Sequence, residues 1–260
     1  MISWPHQQLL LSLKNMGSRL PSNVFPPCTT QAIQMTPLTP DDFTAIRLSL
    51  IVATSATIIA LPAGFAAAYL LAFSNMRGKA IFEGIINLPL VLPPVVVGYL
   101  LLLIFGRNGW IGSVLNHLGI NIIFTLKAAV IASAIVGFPL LVRSIRIGME
   151  NIDLQYLHAS RTLGAGWWDT LCSITIPLSY KATLAGMTLM FARSLGEFGA
   201  TIILAGNIPG VTQTIPLAIY QYTSTPGGDE MALSLCMVSI GLSFVVLLMS
   251  EAANRKITRS

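Results

Sequence analysis

The stretch LSLIVATSATIIALPAGFAAAYLLAF, residues 48–73, runs without one charged side chain. A helix needs about 20 such residues to cross the hydrocarbon core of a bilayer, and in lipid its backbone polar groups must be satisfied within the segment. The run therefore predicts a membrane-spanning helix, and four further segments repeat the pattern. They are GIINLPLVLPPVVVGYLLLLIF (residues 84–105), AAVIASAIVGFPLLV (128–142, lengthened by residues 122–126), a segment from about 182 to 205, and MALSLCMVSIGLSFVVLLMS (231–250). Charged residues make up 10% of the chain, against roughly 25% in soluble domains, too few to coat a water-exposed globule. The expectation is an all-α integral membrane protein of about five spans, embedded in a lipid bilayer.

Basic residues orient those spans. Arg77 and Lys79 follow the first; Arg143, Arg146, Arg161 and Lys181 lie between the third and fourth; Arg255, Lys256 and Arg259 follow the fifth. The opposite loops hold Arg107, with Lys127 at a boundary, and a segment from 208 to 230 with no basic residue but Asp229 and Glu230. Lys and Arg concentrate in cytoplasmic loops, so the N-terminus is expected outside and the C-terminus in the cytoplasm. Lys14 and Arg19 weakly oppose this. The net charge of +5 comes from basic residues scattered singly, which does not make a phosphate-tracking surface, so nucleic acid is not an expected partner. Residues 1–38 read as a disordered N-terminal extension, 39–253 as the membrane domain, with a cytoplasmic segment at about 150–178, and 254–260 as a cytoplasmic tail.

Enzyme chemistry finds little here. No GxxxxGK[ST] loop exists to cradle ATP phosphates. His6, His117 and His158 lie in separate segments, and Cys28, Cys172 and Cys236 form neither a CxxC nor an even set. No metal, cofactor or catalytic residue is expected. Cys172 and Cys236 read as small packing residues.

Two features inside the spans are unusual. Pro62, Pro89, Pro93, Pro94 and Pro139 each remove a helical hydrogen bond and are expected to bend their helices. Three of them, within LPLVLPPVVVG, mark the second span as a pathway-lining or gating element, with Pro93 and Pro94 at its centre. In the fourth span, FARSLGEFGATI places Arg193 and Glu197 at i, i+4, where the side chains share a face and neutralise each other. Charges within a membrane are expensive and point to an interior or functional position. A register-fixing ion pair and a role in passing an anion are equally compatible with the spacing. Ser194 and Thr201 are further pathway candidates, and GNIPGVTQT beyond them offers uncharged N–H and hydroxyl donors for an outer mouth.

In the cytoplasmic segment, residues 152–163 can form a short amphipathic helix ended by Gly164, after which GAGWW turns the chain and Pro177 opens the next span; on physical grounds alone a helix resting on lipid headgroups, its Trp pair in the aromatic belt, fits equally well. The order His158-Ala159-Ser160, three residues, Gly164, nine residues, Ile174, one residue, Ile176-Pro177 is similar to the Glu-Ala-Ala…Gly…Ile-x-Leu-Pro motif of ABC-importer permeases. His158 stands where that family has Glu, Ser160 replaces the second Ala, and Ile176 replaces Leu. LPLVLPPVVVGYLLL, FARSLGEFGATI and GNIPGVTQTIPLAIY further resemble molybdate ABC transporter permeases; sulfate permeases are similar but usually depart from the last two stretches. The resemblance runs from about residue 39 to 253. It implies the MetI-like permease architecture and a non-enzymatic pore subunit of the bacterial cytoplasmic membrane, importing molybdate and tungstate, with a sulfate or thiosulfate permease as the alternative. It also implies a homodimer, two copies of an ABC ATPase inside and a molybdate-binding protein outside. His158, Ala159, Ser160, Gly164, Ile174 and Pro177 would then form the ATPase-coupling element. An intramembrane enzyme built on Arg193 and Glu197 lacks a nucleophile or nearby base, and a secondary transporter would not need the coupling motif.

Overall fold

The computed structural model describes residues 37–258 except 75, 76 and 108. The N-terminal extension expected for residues 1–38 lies almost wholly outside them. The described chain is helical throughout: α1 (Pro40–Phe73), α2 (Lys79–Val91), α3 (Pro94–Phe105), α4 (Trp110–His117), α5 (Leu126–Glu150), α6 (Leu154–Thr162), α7 (Trp167–Thr170), a π turn (Leu171–Thr175), α8 (Ile176–Leu195), α9 (Gly199–Leu204), α10 (Ile215–Thr223) and α11 (Asp229–Thr258). Three helices, α1, α5 and α11 to Met249, are long and apolar enough to cross a membrane, and the bent pair α2–α3 makes a fourth if it counts as one span.

The first span starts earlier than the apolar run does. Thr39 caps α1, its hydroxyl accepting from the Asp42 N–H at 3.3 Å while Asp42 accepts from the Thr39 N–H at 2.8 Å. Asp42, 3% exposed, also accepts from the Tyr222 hydroxyl at 2.8 Å, so the cap ties α1 to the end of α10. Burial, helped by the neighbouring Asp42 carboxylate, raises the Tyr222 phenol above its ordinary range.

α5 is the centre of the bundle. It packs on α1, α8, α2 and α9, and 61% of its apolar window is buried, against 17% for α11. The contacts are close because small residues line them, the usual means by which helices approach in lipid. Ala56, Ala60, Ala67 and Ala68 of α1 join Leu141, Val142, Ile145 and Met149 of α5 and Met190 of α8 in one core. A Cβ on Gly148 would collide with Ala182 of α8, and nearby the Ser144 hydroxyl donates to the Ala182 carbonyl at 3.0 Å. A second core joins Val52, Val97, Leu101, Ala132, Val136, Ala200 and Leu204.

The predicted spans are corrected at three places. The second is not one helix: α2 and α3 meet at 113°, broken at Leu92 and Pro93. Pro62, Pro89 and Pro139 all remain inside continuous helices, so of these prolines only the Pro93-Pro94 step marks a helix break. The third is lengthened at its far end to Glu150 and not through residues 122–125, because Phe124 has φ 58° and Thr125 is extended at the helix's N-cap position. The fourth stops at Leu195 and resumes at Gly199.

Candidate functional site

α6 begins at Asp153, whose carboxylate accepts from the Gln155 N–H at 2.9 Å. It ends where Gly164 takes φ +83°, the left-handed conformation that terminates helices. Of the motif residues, His158, Ala159 and Gly164 are exposed while Ser160 is buried and faces back into the protein. The Ser160 and Thr170 hydroxyls lie 3.1 Å apart; one donates to the other, whose own hydrogen goes to a backbone carbonyl, that of Leu157 for Ser160 or Gly166 for Thr170. This bond fastens α6 to α7. Trp167 then donates from Nε1 to the Tyr69 hydroxyl at 2.8 Å, tying the segment to the end of α1. The sequence displayed Trp167 but carried no signal for Tyr69 as its partner.

Beyond α6 the helix does not start afresh at Pro177. It runs from Trp167 into α8 through the π turn, whose closing bond goes from the Ile176 N–H to the Leu171 carbonyl. Pro177 has no N–H and its ring would collide with the carbonyl four residues back, so the widened turn accommodates it without a break. Ile174 is half-buried in that turn and Cys172 is exposed, not packed.

What this leaves facing out is apolar. Leu154, Tyr156 and Leu163 are 58%, 59% and 87% exposed on a helix that also carries Asp153, His158 and Arg161. Such a mixed surface suits either the headgroup layer of a membrane or a covering protein surface.

The other candidate residues converge at the break between α8 and α9. The Arg193 guanidinium meets the Glu197 carboxylate at 2.6 Å. Glu197 is 2% exposed, and its other oxygen accepts from the Ala200 N–H at 2.9 Å. The same carboxylate thus neutralises the arginine and caps α9, which is how the charge in the oily run is satisfied. Arg193 keeps 29% of its side chain exposed. Ser194 and Thr201 are buried, with hydroxyls that find no hydrogen-bond partner among the described residues.

The Pro-Pro break abuts this point. A Cβ on Gly199 would lie 2.8 Å from Cβ of Pro94, and one on Gly98 would lie 2.8 Å from Cα of Ala200. Two broken helices therefore touch backbone to backbone, α3 against α9, with Pro93 exposed beside them. The glycines that permit the contact escaped the sequence reading, since nothing local marks them.

The expected outer mouth is not a set of free donors. The Thr212 hydroxyl accepts from the Ile208 N–H and donates to the Gly206 carbonyl, the N–H groups of residues 211–213 converge on the Ile208 carbonyl, and the Ile215 N–H donates to Ser49 of α1. The loop is exposed at residues 208–211 and buried at Thr212, Gln213 and Thr214, and of these the Thr214 hydroxyl has no hydrogen-bond partner among the described residues.

Residues 60–259 match the family model of binding-protein-dependent transport system inner membrane components. The chain belongs to this family. It is 50% identical over 219 residues to a molybdenum transport system permease protein of Haemophilus influenzae, covering 84% of this chain and 96% of that one. A sulfate transport system permease protein of Synechococcus elongatus is 35% identical over 209 residues, covering 79% and 71%. Among solved structures, a bacterial alginate ABC transporter in complex with an alginate-bound periplasmic protein superposes with a TM-score of 0.69 at 15% identity, covering 85% of this permease and 81% of that chain. The architecture is thus that of ABC-importer permeases, and the protein is a transport component of the inner membrane.

Proposed function

We propose that this permease imports molybdate, and tungstate with it, as a homodimer energised by two copies of an ABC ATPase and fed by an external molybdate-binding protein. The observation that carries the substrate is the greater similarity to the molybdenum permease than to the sulfate permease, over almost the whole of the former. Physics alone does not choose, since these ions are all doubly charged and tetrahedral. A binding protein can select the ion before delivery, and the permease need only pass it.

The exposed apolar side chains of α6 support docking of this helix in the ATPase, with His158, Ala159 and Gly164 on or beside the contact. Ser160 holds the helix to the rod behind it, and Ile174 and Pro177, which we also assign to the coupling element, lie in that rod at and just after its π turn. Movement of the ATPase pair would reach the membrane through that rod and alternate access between the two sides, with the N-terminus outside and the C-terminus in the cytoplasm.

For the pathway, Pro93, Pro94 and the exposed part of Arg193 are the groups we assign to the ion's surface. Ser194, Glu197 and Thr201 support them from behind. Arg193 supplies local positive potential and Glu197 tempers it, so an anion passes without being trapped. Deleting the gene should abolish a molybdoenzyme activity such as nitrate reduction at low molybdate, with rescue by excess molybdate. Sulfur auxotrophy with intact molybdoenzymes would establish the sulfate reading instead.

A further inference from the structure

Two arginines stand one turn apart on α5, and their surroundings differ sharply. Arg146 is paired with two carboxylates: it meets Glu83 of α2 at 2.6 Å and Glu150 at 2.7 Å. Arg143 is exposed and has no ion pair among the described residues. Both line a cavity of about 380 Å³ between α2 and α5, together with Asn87, Glu83 and the buried Pro139. Asn87 donates from Nδ2 to the Glu83 carbonyl at 2.9 Å. An amide nitrogen carries two N–H groups, so one is left over on a residue that lines the same cavity as Arg143. Glu83 and Glu150 are both engaged by Arg146, so Arg143 is the cation of this recess without a carboxylate in direct contact among the described residues.

We propose that Arg143 and Asn87 form a binding site for a tetrahedral oxyanion in this cavity. A guanidinium offers paired N–H donors that match two oxygens of such an ion, and the amide supplies a third. The ligand could come from two sources with this one chemistry: the transported oxyanion leaving the pathway, which rests on the molybdate reading, or the phosphate of an anionic lipid at the membrane surface. Arg143 lies 17 residues beyond Leu126, where α5 begins, or roughly 25 Å along the helix. That distance is close to the roughly 30 Å thickness of a hydrocarbon core, so both sources can reach it.

The test uses the full-length protein in nanodiscs, with thermal unfolding as the readout and molybdate, inorganic phosphate or phosphatidylglycerol as the probe. Chloride at matched ionic strength is the control. Wild type in neutral lipid should show a saturable rise in midpoint with at least one of the three, Arg143→Lys should retain part of it, and Arg143→Gln and Asn87→Ala should lose most of it. A response to phosphatidylglycerol alone identifies the lipid as occupant; a response to the free ions in neutral lipid identifies the inorganic oxyanion. If none of the three separates wild type from both Arg143→Gln and Asn87→Ala, the site does not exist. Uptake by intact cells is scored separately. Loss of the midpoint shift with normal molybdate uptake in wild type would remove this site and leave the transport reading intact, and a phosphate response without any molybdate uptake would do the reverse.

Discussion

Replacing Arg193 by Ala would leave Glu197, 2% exposed, with one backbone N–H as its partner. A buried carboxylate deprived of its cation costs about 3–5 kcal/mol, so Arg193→Ala should lower the unfolding midpoint in nanodiscs markedly, and Arg193→Lys much less. Glu197→Gln separates the two jobs of that side chain. Its amide oxygen can still cap α9 while the charge is gone, so we expect a smaller loss of stability together with altered uptake kinetics. Equal midpoints for wild type and Arg193→Ala would show that the pair contributes nothing to the fold. The i, i+4 spacing made this pair legible in the sequence, because side chains four apart on a helix must meet. The capping role was hidden: it depends on the chain breaking at Gly196, which turns Glu197 from a mid-helix residue into the start of another helix.

At the scale of elements, α6 and the α3–α9 contact make opposite demands on glycine. A side chain at Gly164 would meet no neighbour within 4 Å, so only its φ of +83° resists substitution. Gly164→Val should cost about 1–3 kcal/mol in local backbone strain and leave the protein inserted. It should also uncouple transport, read as loss of substrate-stimulated ATP hydrolysis in the reconstituted complex; normal stimulation would refute a coupling role for this turn. Gly98→Val offends by volume, because its Cβ would sit 2.8 Å from the Ala200 backbone. Overpacking of that kind costs about 1–3 kcal/mol, and a lowered unfolding midpoint would register it. The turn at Gly164 could be read from the sequence since helix ends have local chemistry. The contact at Gly98 could not, since it is made with a residue a hundred positions away. For the same reason the prolines were only partly informative: Pro62, Pro89 and Pro139 sit inside continuous helices, while Pro93 and Pro94 together do break the chain.

For the molecule as a whole, the distribution of Lys and Arg predicts which ends face the cytoplasm. A reporter active only outside should work when fused after Gly227 and fail after Gly78 or Arg255, and the opposite pattern would invert the orientation. Helical class and the central apolar runs were plain from composition, because lipid leaves so few alternatives. The order of packing around α5 was not, since alanines and glycines that permit close approach look alike whether or not a partner is present. One described feature links the two ends of the molecule. From Trp167 to Leu195 the backbone keeps right-handed helical dihedrals without interruption, through the π turn, a length of roughly 40 Å. At one end it is anchored by Tyr69, and at the other it carries Arg193. Mechanically this is a strut with one soft joint: axial load passes along it, while the widened turn, having a looser bonding pattern, is where torsion would be absorbed.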